Sequence, residues 1–290
     1  MALSWHVYGF TSRPVTSSGT LSLESTLVSY AINPTDGTRI YYEVTGEGPA
    51  LIFLHGSALS RVIWRGLGYL KGLPGYSHIR IDARGHGKSD KPHEPSAYAM
   101  ERLAEDVLAV MDAEEIATAG IVGYSLGART GWQLMTTVPT RFAAFVALAG
   151  SHRKQTGEIK NIFFPGYLET LKNGDIDAFV AGFGPGLDRA TALAFKSNDP
   201  LALYAMFAEM EDAERSIPDT LIAQVSTPVL AMAGDQDPRR YADSQDQAQI
   251  AQNCRFHPLP GRNHAGTLFY AQDNLAVIKP FLDKNYPGTA

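Results

Sequence analysis

The sequence predicts an α/β fold, a mostly parallel sheet with helices on both faces. Three observations carry that reading. From Val28 onward, short apolar runs of strand length alternate with helix-length amphipathic stretches, the pattern of consecutive strand–helix–strand units. The pentapeptide Gly123-Tyr124-Ser125-Leu126-Gly127 stands where one strand pattern gives way to a helix pattern. One stretch, residues 151–224, breaks the alternation: it is rich in Phe, Tyr, Met and Leu at helix-like spacing and has no strand-like run. At 290 residues the chain can bury one large core, and no linker divides it.

The elements follow in order. Val28–Ile32 and Arg39–Val44 flank Asp36-Gly37, a dipeptide suited to a tight hairpin. Ala50–His55 is a strongly apolar run. Ile79–Ala83 reads as a strand, Tyr98–Met111 as an amphipathic helix, Ala119–Tyr124 as a strand, Leu126–Val138 as a helix and Phe145–Ala149 as a strand. The alternation resumes with a strand at Pro228–Ala233, a helix near Arg240–Gln252, a strand near Arg255–Leu259 and a last helix from Ala271 to about Asp283. The intervening segment is broken at Pro165-Gly166, Gly184-Pro185-Gly186 and Pro200. Most of Phe163, Phe164, Phe179, Phe183, Tyr204, Met206 and Phe207 are expected to pack helix on helix. A few should face a pocket, because ligands in such folds bind beyond the carboxyl ends of the strands. The expected division is therefore a core at 26–150 and 225–290, with 151–224 as a helical cap over Ser125. Residues 1–25 are rich in Ser and Thr, with no acid before Glu24, and are expected to form a flexible extension. They lack the basic start and apolar run of a targeting peptide.

Composition narrows the function. With 25 basic and 30 acidic side chains, a net charge of −5, there is no basic stripe to hold a nucleic-acid backbone. No apolar run approaches the roughly 18 residues of a membrane span. Cys254 is the only cysteine, so neither an internal disulfide nor a Cys-x-x-Cys redox site can form. The expectation is a soluble, cytoplasmic protein, monomer or homodimer, acting on a small molecule without a cofactor or metal.

The pentapeptide points to chemistry. A hydroxyl is a poor nucleophile at neutral pH, so a reactive serine must be exposed, next to a base and beside donors for an oxyanion. A sharp strand-to-helix turn supplies the exposure, and its flanking glycines relieve the crowding such a turn creates. Of eight histidines, His264 is the best placed as base, because Gly261-Arg262-Asn263-His264 follows the last strand directly. His55 precedes Gly56 and suits loop shaping. His6, His78, His93, His152 and His257 have no partner motif and suit surface or structural roles. The orienting acid comes from Gly234-Asp235-Gln236-Asp237: Asp237 reaches further along the sheet edge than Asp235, which remains an alternative on reach alone. The strand end after Ala149 offers no carboxylate. The amide of Leu126 at the helix start is one oxyanion donor, and the amide of Ser57, after His55-Gly56, is the natural second. Tyr124 and Leu126 flank the nucleophile, Trp64 follows the oxyanion loop and Leu268 lies four residues beyond His264. Trp64, Tyr124 and Leu268 are candidate pocket walls, though plain core packing accounts for each equally well.

Taken together, these motifs make the chain resemble the α/β-hydrolase superfamily from about residue 28 to the end. The residues carrying the resemblance are the Gly123–Gly127 elbow, His55-Gly56, the turn Asp82-Ala83-Arg84-Gly85-His86-Gly87-Lys88-Ser89, Gly234-x-x-Asp237 and Gly261-x-x-His264. Nucleophile, acid and histidine come in the order expected of that fold. The resemblance implies eight strands, a helical cap after the sixth, and the triad Ser125, Asp237, His264, which strengthens the choice of Asp237. It makes the Asp82–Ser89 turn a structural loop rather than a metal or acid–base site. Members with an aspartate at the elbow, such as haloalkane dehalogenases and epoxide hydrolases, form alkyl esters, a route that Ser125 excludes. The implied reaction is hydrolysis of a carboxylic ester or lactone of a small to medium apolar molecule. Related triads also cleave carbon–carbon bonds, carry out cofactor-free perhydrolysis, or serve small-molecule receptors.

Overall fold

The computed structural model describes residues 27–153, 156–212 and 216–289; the extension expected at 1–25 lies outside them. Eight strands form one sheet: β1 (Leu27–Ile32), β2 (Arg39–Thr45), β3 (Ala50–Leu54), β4 (Ser77–Ile81), β5 (Ala119–Tyr124), β6 (Phe142–Leu148), β7 (Val229–Gly234) and β8 (Cys254–Leu259). Their order across the sheet is β1-β2-β4-β3-β5-β6-β7-β8. The Asp36-Gly37 turn joins β1 and β2 antiparallel, with Ile32 opposite Arg39. β2 also runs antiparallel to β4, and every later pairing is parallel.

Helices α1 (Val62–Gly66), α2 (Tyr69–Gly72), α3 (Met100–Ala113) and α4 (Leu126–Thr137) connect the first six strands. Between β6 and β7 lie α5 (Ile159–Ile162), α6 (Tyr167–Lys172), α7 (Ile176–Ala181), α8 (Arg189–Lys196), α9 (Pro200–Asp212) and α10 (Asp219–Ile222). α11 (Pro238–Ile250), α12 (His264–Phe269) and α13 (Ala271–Asn285) complete the chain. Boundaries shift by a few residues from the sequence pattern where local chemistry decides. Pro238 opens α11 at a position that needs no amide donor, ahead of the expected start near Arg240. A 3₁₀ turn at Pro95–Tyr98 displaces the start of α3 to Met100.

The sheet sorts its side chains by alternation. In β3, Leu51 and Phe53 join the apolar layer that holds Trp64, Tyr69 and Phe281, while Ile52 and Leu54 face the layer with Val107, Val110 and Trp132 from α3 and α4. The helical segment between β6 and β7 packs by aromatic contacts. Phe163 lies 5.6, 5.7, 5.7 and 5.0 Å, ring centre to ring centre, from Tyr167, Phe179, Phe183 and Phe207. Because the strands from β3 onward in the sheet order are parallel, the chain leaves β3, β5, β6, β7 and β8 at one edge, where Leu54 pairs with Gly123, Tyr124 with Leu148 and Gly234 with Leu259. No helix among the described residues is long and apolar enough to cross a membrane.

Candidate active site

β5 is buried along its whole length, and the chain turns sharply at its end. Ser125 takes φ 51° and ψ −109° before α4 begins. Such a backbone costs a non-glycine residue on the order of 1–3 kcal/mol and persists only where the surroundings hold it. Here the Ser125 amide donates to the Leu148 carbonyl at 2.9 Å and the Gly127 amide to that of His55 at 3.1 Å. The flanking glycines are required by contact: a Cβ on Gly123 would lie 2.6 Å from the Gly127 oxygen, and one on Gly127 would lie 2.1 Å from the Leu54 oxygen. The strained turn leaves the serine side chain at the sheet edge, part-exposed, while both neighbours are buried.

His264 opens α12. The preceding Asn263 caps that helix, its side-chain oxygen accepting from the Gly266 amide at 2.8 Å, and so fixes where the imidazole starts. His264 Nε2 lies 3.0 Å from Ser125 Oγ, and Nδ1 lies 2.5 Å from Asp237 Oδ2. An ionised carboxylate can only accept, so Nδ1 carries the proton and Nε2 accepts from the serine hydroxyl. The Tyr124 hydroxyl donates to the His264 carbonyl at 3.1 Å, and its ring lies 5.3 Å from the imidazole. Burial alone would raise the Asp237 carboxyl, but His264 and Arg240 beside it hold it below its ordinary value. Asp235 is occupied elsewhere, accepting from the Gly261 amide at 2.8 Å. Of the two acids on the turn, the structure therefore brings Asp237 to the imidazole.

Ser57 and Leu126 line the same cavity as Ser125. The loop carrying Ser57 is pinned from behind. The Ala58 amide donates to His86 Nε2 at 3.0 Å, and the Ala83 amide to His55 Nε2 at 3.0 Å. Each ring must then carry its proton on Nδ1, which donates to the Arg84 carbonyl in His86 and the Gly56 carbonyl in His55. Burial lowers both, His86 to about 3, so both stay neutral scaffold. In the Asp82–Ser89 turn, Asp82 accepts from the Arg61 amide and guanidinium and from the Lys88 amide. Arg84 is spent on Asp106, Asp36 and the Ala97 carbonyl, which makes this turn structural. His78 faces the Leu73 carbonyl, His93 pairs with Asp199 and His152 with Asp219, and His6 lies outside the described residues. No group of three His, Cys, Asp or Glu among the described residues could hold a metal ion.

A solvent-open cavity meets Ser125 and His264. Tyr124 lies on its wall, as expected. Trp64 and Leu268 do not. Trp64 is fully buried between Phe53 and Tyr69, ring centres 5.4 and 5.1 Å away, because α1 turns it into the core. Leu268 is also fully buried, and its helix shows Ala265 and Phe269 to the cavity instead. From the segment between β6 and β7, Ile159, Phe163, Phe195, Phe207 and Met210 reach the wall. Sequence reasoning missed Arg129 and Arg240, which also line it. The available signal was helical spacing, since Arg129 stands four residues after Ser125 and Arg240 three after Asp237.

Comparison with known proteins agrees with this architecture. The sequence profile of the α/β-hydrolase fold matches residues 49–254. Epoxide hydrolase 2 of Siraitia grosvenorii is 30% identical over 178 residues, 61% of this chain and 54% of that protein. This chain thus spans about half the length of that curated relative. The putative 2-succinyl-6-hydroxy-2,4-cyclohexadiene-1-carboxylate synthase of Bacillus subtilis (strain 168) is 25% identical over 272 residues, 87% of this chain and 97% of that protein. The solved structure of an enzyme that degrades N-acyl homoserine lactones superposes with a TM-score of 0.70 at 25% identity, covering 87% of this chain and 100% of that one. The chain belongs to the α/β-hydrolase fold family, a family of hydrolases.

Proposed function

We propose that this protein hydrolyses a carboxylic ester or lactone through an acyl-enzyme formed on Ser125. The observation that carries the reading is the continuous hydrogen-bonded line Ser125–His264–Asp237, at 3.0 and 2.5 Å, opening onto a cavity. Ser125 Oγ attacks the carbonyl carbon while His264 Nε2 takes its proton. Asp237 holds the imidazole in the required tautomer and stabilises its charged form. The Ser57 and Leu126 amides receive the oxyanion. His264 returns the proton to the leaving alcohol oxygen, then draws one from the water that cleaves the acyl-enzyme, regenerating Ser125 and releasing the acid.

Epoxide hydrolases stand among the relatives, but an alkyl-enzyme route of the kind set out above needs a carboxylate where this chain has Ser125. The lactone-degrading neighbour fits the same reading. The segment 151–224 acts as the cap: its aromatic side chains form the apolar wall facing the nucleophile, suiting a substrate with an apolar body.

A fluorophosphonate probe tests the mechanism. It should label Ser125 in the native chain, and Ser125→Ala should lose both labelling and about 10⁴-fold or more of kcat on p-nitrophenyl esters. Full activity in Ser125→Ala would sink the mechanism.

A further inference from the structure

The cavity wall has a polarity that ester hydrolysis alone does not call for. Two arginines, Arg129 and Arg240, face the space in front of Ser125, and no Asp or Glu among the described residues lines it. Both are nine-tenths buried or more, at 6% and 5% exposure. Their placement follows from the triad itself. The Arg129 amide donates to the Ser125 carbonyl at 2.9 Å, so Arg129 stands one turn along α4 from the nucleophile, about 6 Å of helix rise. Arg240 stands one turn along α11 from Asp237, its guanidinium 3.9 Å from that carboxylate.

Burying guanidinium charge is costly, and protein acids offset part of that cost, with Asp237, Asp243 and Glu158 acting on Arg240 and Asp243 and Glu101 on Arg129, but none of these acids lies on the cavity wall. Burial and the field of Arg240 lower Arg129, but only to about 10, so it remains charged at neutral pH. Protein contacts hold the pair in place. Arg129 donates to the Arg153 carbonyl at 3.2 Å, and Arg240 lies beside Asp237. Asp243, whose field both feel, is itself bound to Ser151 and Arg153 and is not on the cavity wall. A guanidinium fixed in this way offers a planar, pre-oriented fork that matches the two oxygens of a carboxylate.

We propose that Arg129 and Arg240 form an anion subsite, and that the substrate is an ester or lactone carrying a second, free carboxylate on its apolar body. The proposal rests on the Ser125 reading for the scissile bond but not for the binding of the acid. The subsite would orient the substrate: with its carboxylate on the arginines, a chain of a few methylenes lies along the aromatic wall and sets the carbonyl against Ser125.

Binding and turnover test the two readings separately. Calorimetry on the full chain carrying Ser125→Ala, which by the proposed mechanism cannot turn the esters over, should give monomethyl glutarate at least tenfold tighter binding than dimethyl glutarate, a comparison that needs no catalysis. Arg129→Gln and Arg240→Gln should each reduce that ratio by tenfold or more. In hydrolysis, 4-nitrophenyl hydrogen glutarate should exceed methyl 4-nitrophenyl glutarate at least tenfold in kcat/KM, with the ratio collapsing in the same variants. Equal or weaker binding of the monoacid by the Ser125→Ala chain overturns the subsite even if either arginine variant fails to fold, and so does a binding ratio that both arginine variants retain. Selective binding of the monoacid with neither ester cleaved and Ser125 unlabelled would keep the subsite and overturn the ester mechanism instead.

Discussion

Asp235 and Asp237 share one turn after β7, yet only Asp237 meets an imidazole. Asp235 instead ties down the Gly261 amide at the start of the histidine loop, at a solvent-exposed site. Their exchange variants should therefore separate cleanly. Asp237→Asn removes the acceptor that fixes the His264 tautomer and should lower kcat by about 10³–10⁴-fold, whereas Asp235→Asn should stay within about tenfold of the native protein. Steady-state rates on p-nitrophenyl butyrate check this, and comparable losses in both variants would show that the turn rather than the carboxylate matters. Ser125, His264 and Asp237, which the structure brings together, were legible in the sequence because each sits in a motif at a strand end, and the proposed oxyanion donors Ser57 and Leu126 were read from the same motifs. Arg129 and Arg240 were not, because an arginine on an amphipathic helix reads as solvated until the fold shows which face is covered. Trp64 was over-read for a related reason: closeness in sequence to the oxyanion loop says nothing about which way α1 turns its side chains.

At the scale of elements, α12 is short, yet it positions the base. Six residues of helix cannot hold their own first turn without help, and Asn263 supplies it through the Gly266 amide. Asn263→Ala should cost about 1 kcal/mol of stability. It should also lower kcat more than it raises KM, because His264 would lose its fixed starting point while the cavity wall stays in place. Thermal unfolding alongside steady-state kinetics would test this, and an unchanged kcat in a destabilised variant would mean that Asp237 and Tyr124 hold the imidazole unaided. The segment between β6 and β7 was legible only as helical. Its pieces of four to thirteen residues are too short for periodicity to fix their ends. What orders them is the Phe163 contacts with Tyr167, Phe179, Phe183 and Phe207, which are made between helices and leave no local trace.

For the molecule as a whole, strand–helix alternation made the parallel sheet readable, and Asp36-Gly37 made its antiparallel start readable. The placement of β4 between β2 and β3 depends on a crossover that no local pattern encodes. The same close packing that joins β3, the Asp82–Ser89 turn and the oxyanion loop buries His55 and His86 as neutral rings, 5.1 Å apart. That gives the fold a pH dependence of its own. Burial lowers both below the usual histidine value of about 6.5, His86 to about 3. Between those limits the unfolded chain binds a proton that the folded chain refuses, so stability rises with pH across the window and is lost as pH falls below about 6.5. His86 alone accounts for about 2 kcal/mol between pH 7 and pH 5, and His55 and His152, also lowered by burial, act in the same direction. Among the carboxylates, Asp36 is lowered to about 2 and titrates well below this range. Urea unfolding should therefore show a lower midpoint at pH 5 than at pH 7. His86→Gln, though less stable at pH 7 for want of the acceptor that holds the Ala58 amide, should show a shallower fall between the two. Equal midpoints for the native chain at both pH values would mean that these rings are not held neutral, and that the oxyanion loop lacks the rigid backing assigned to it.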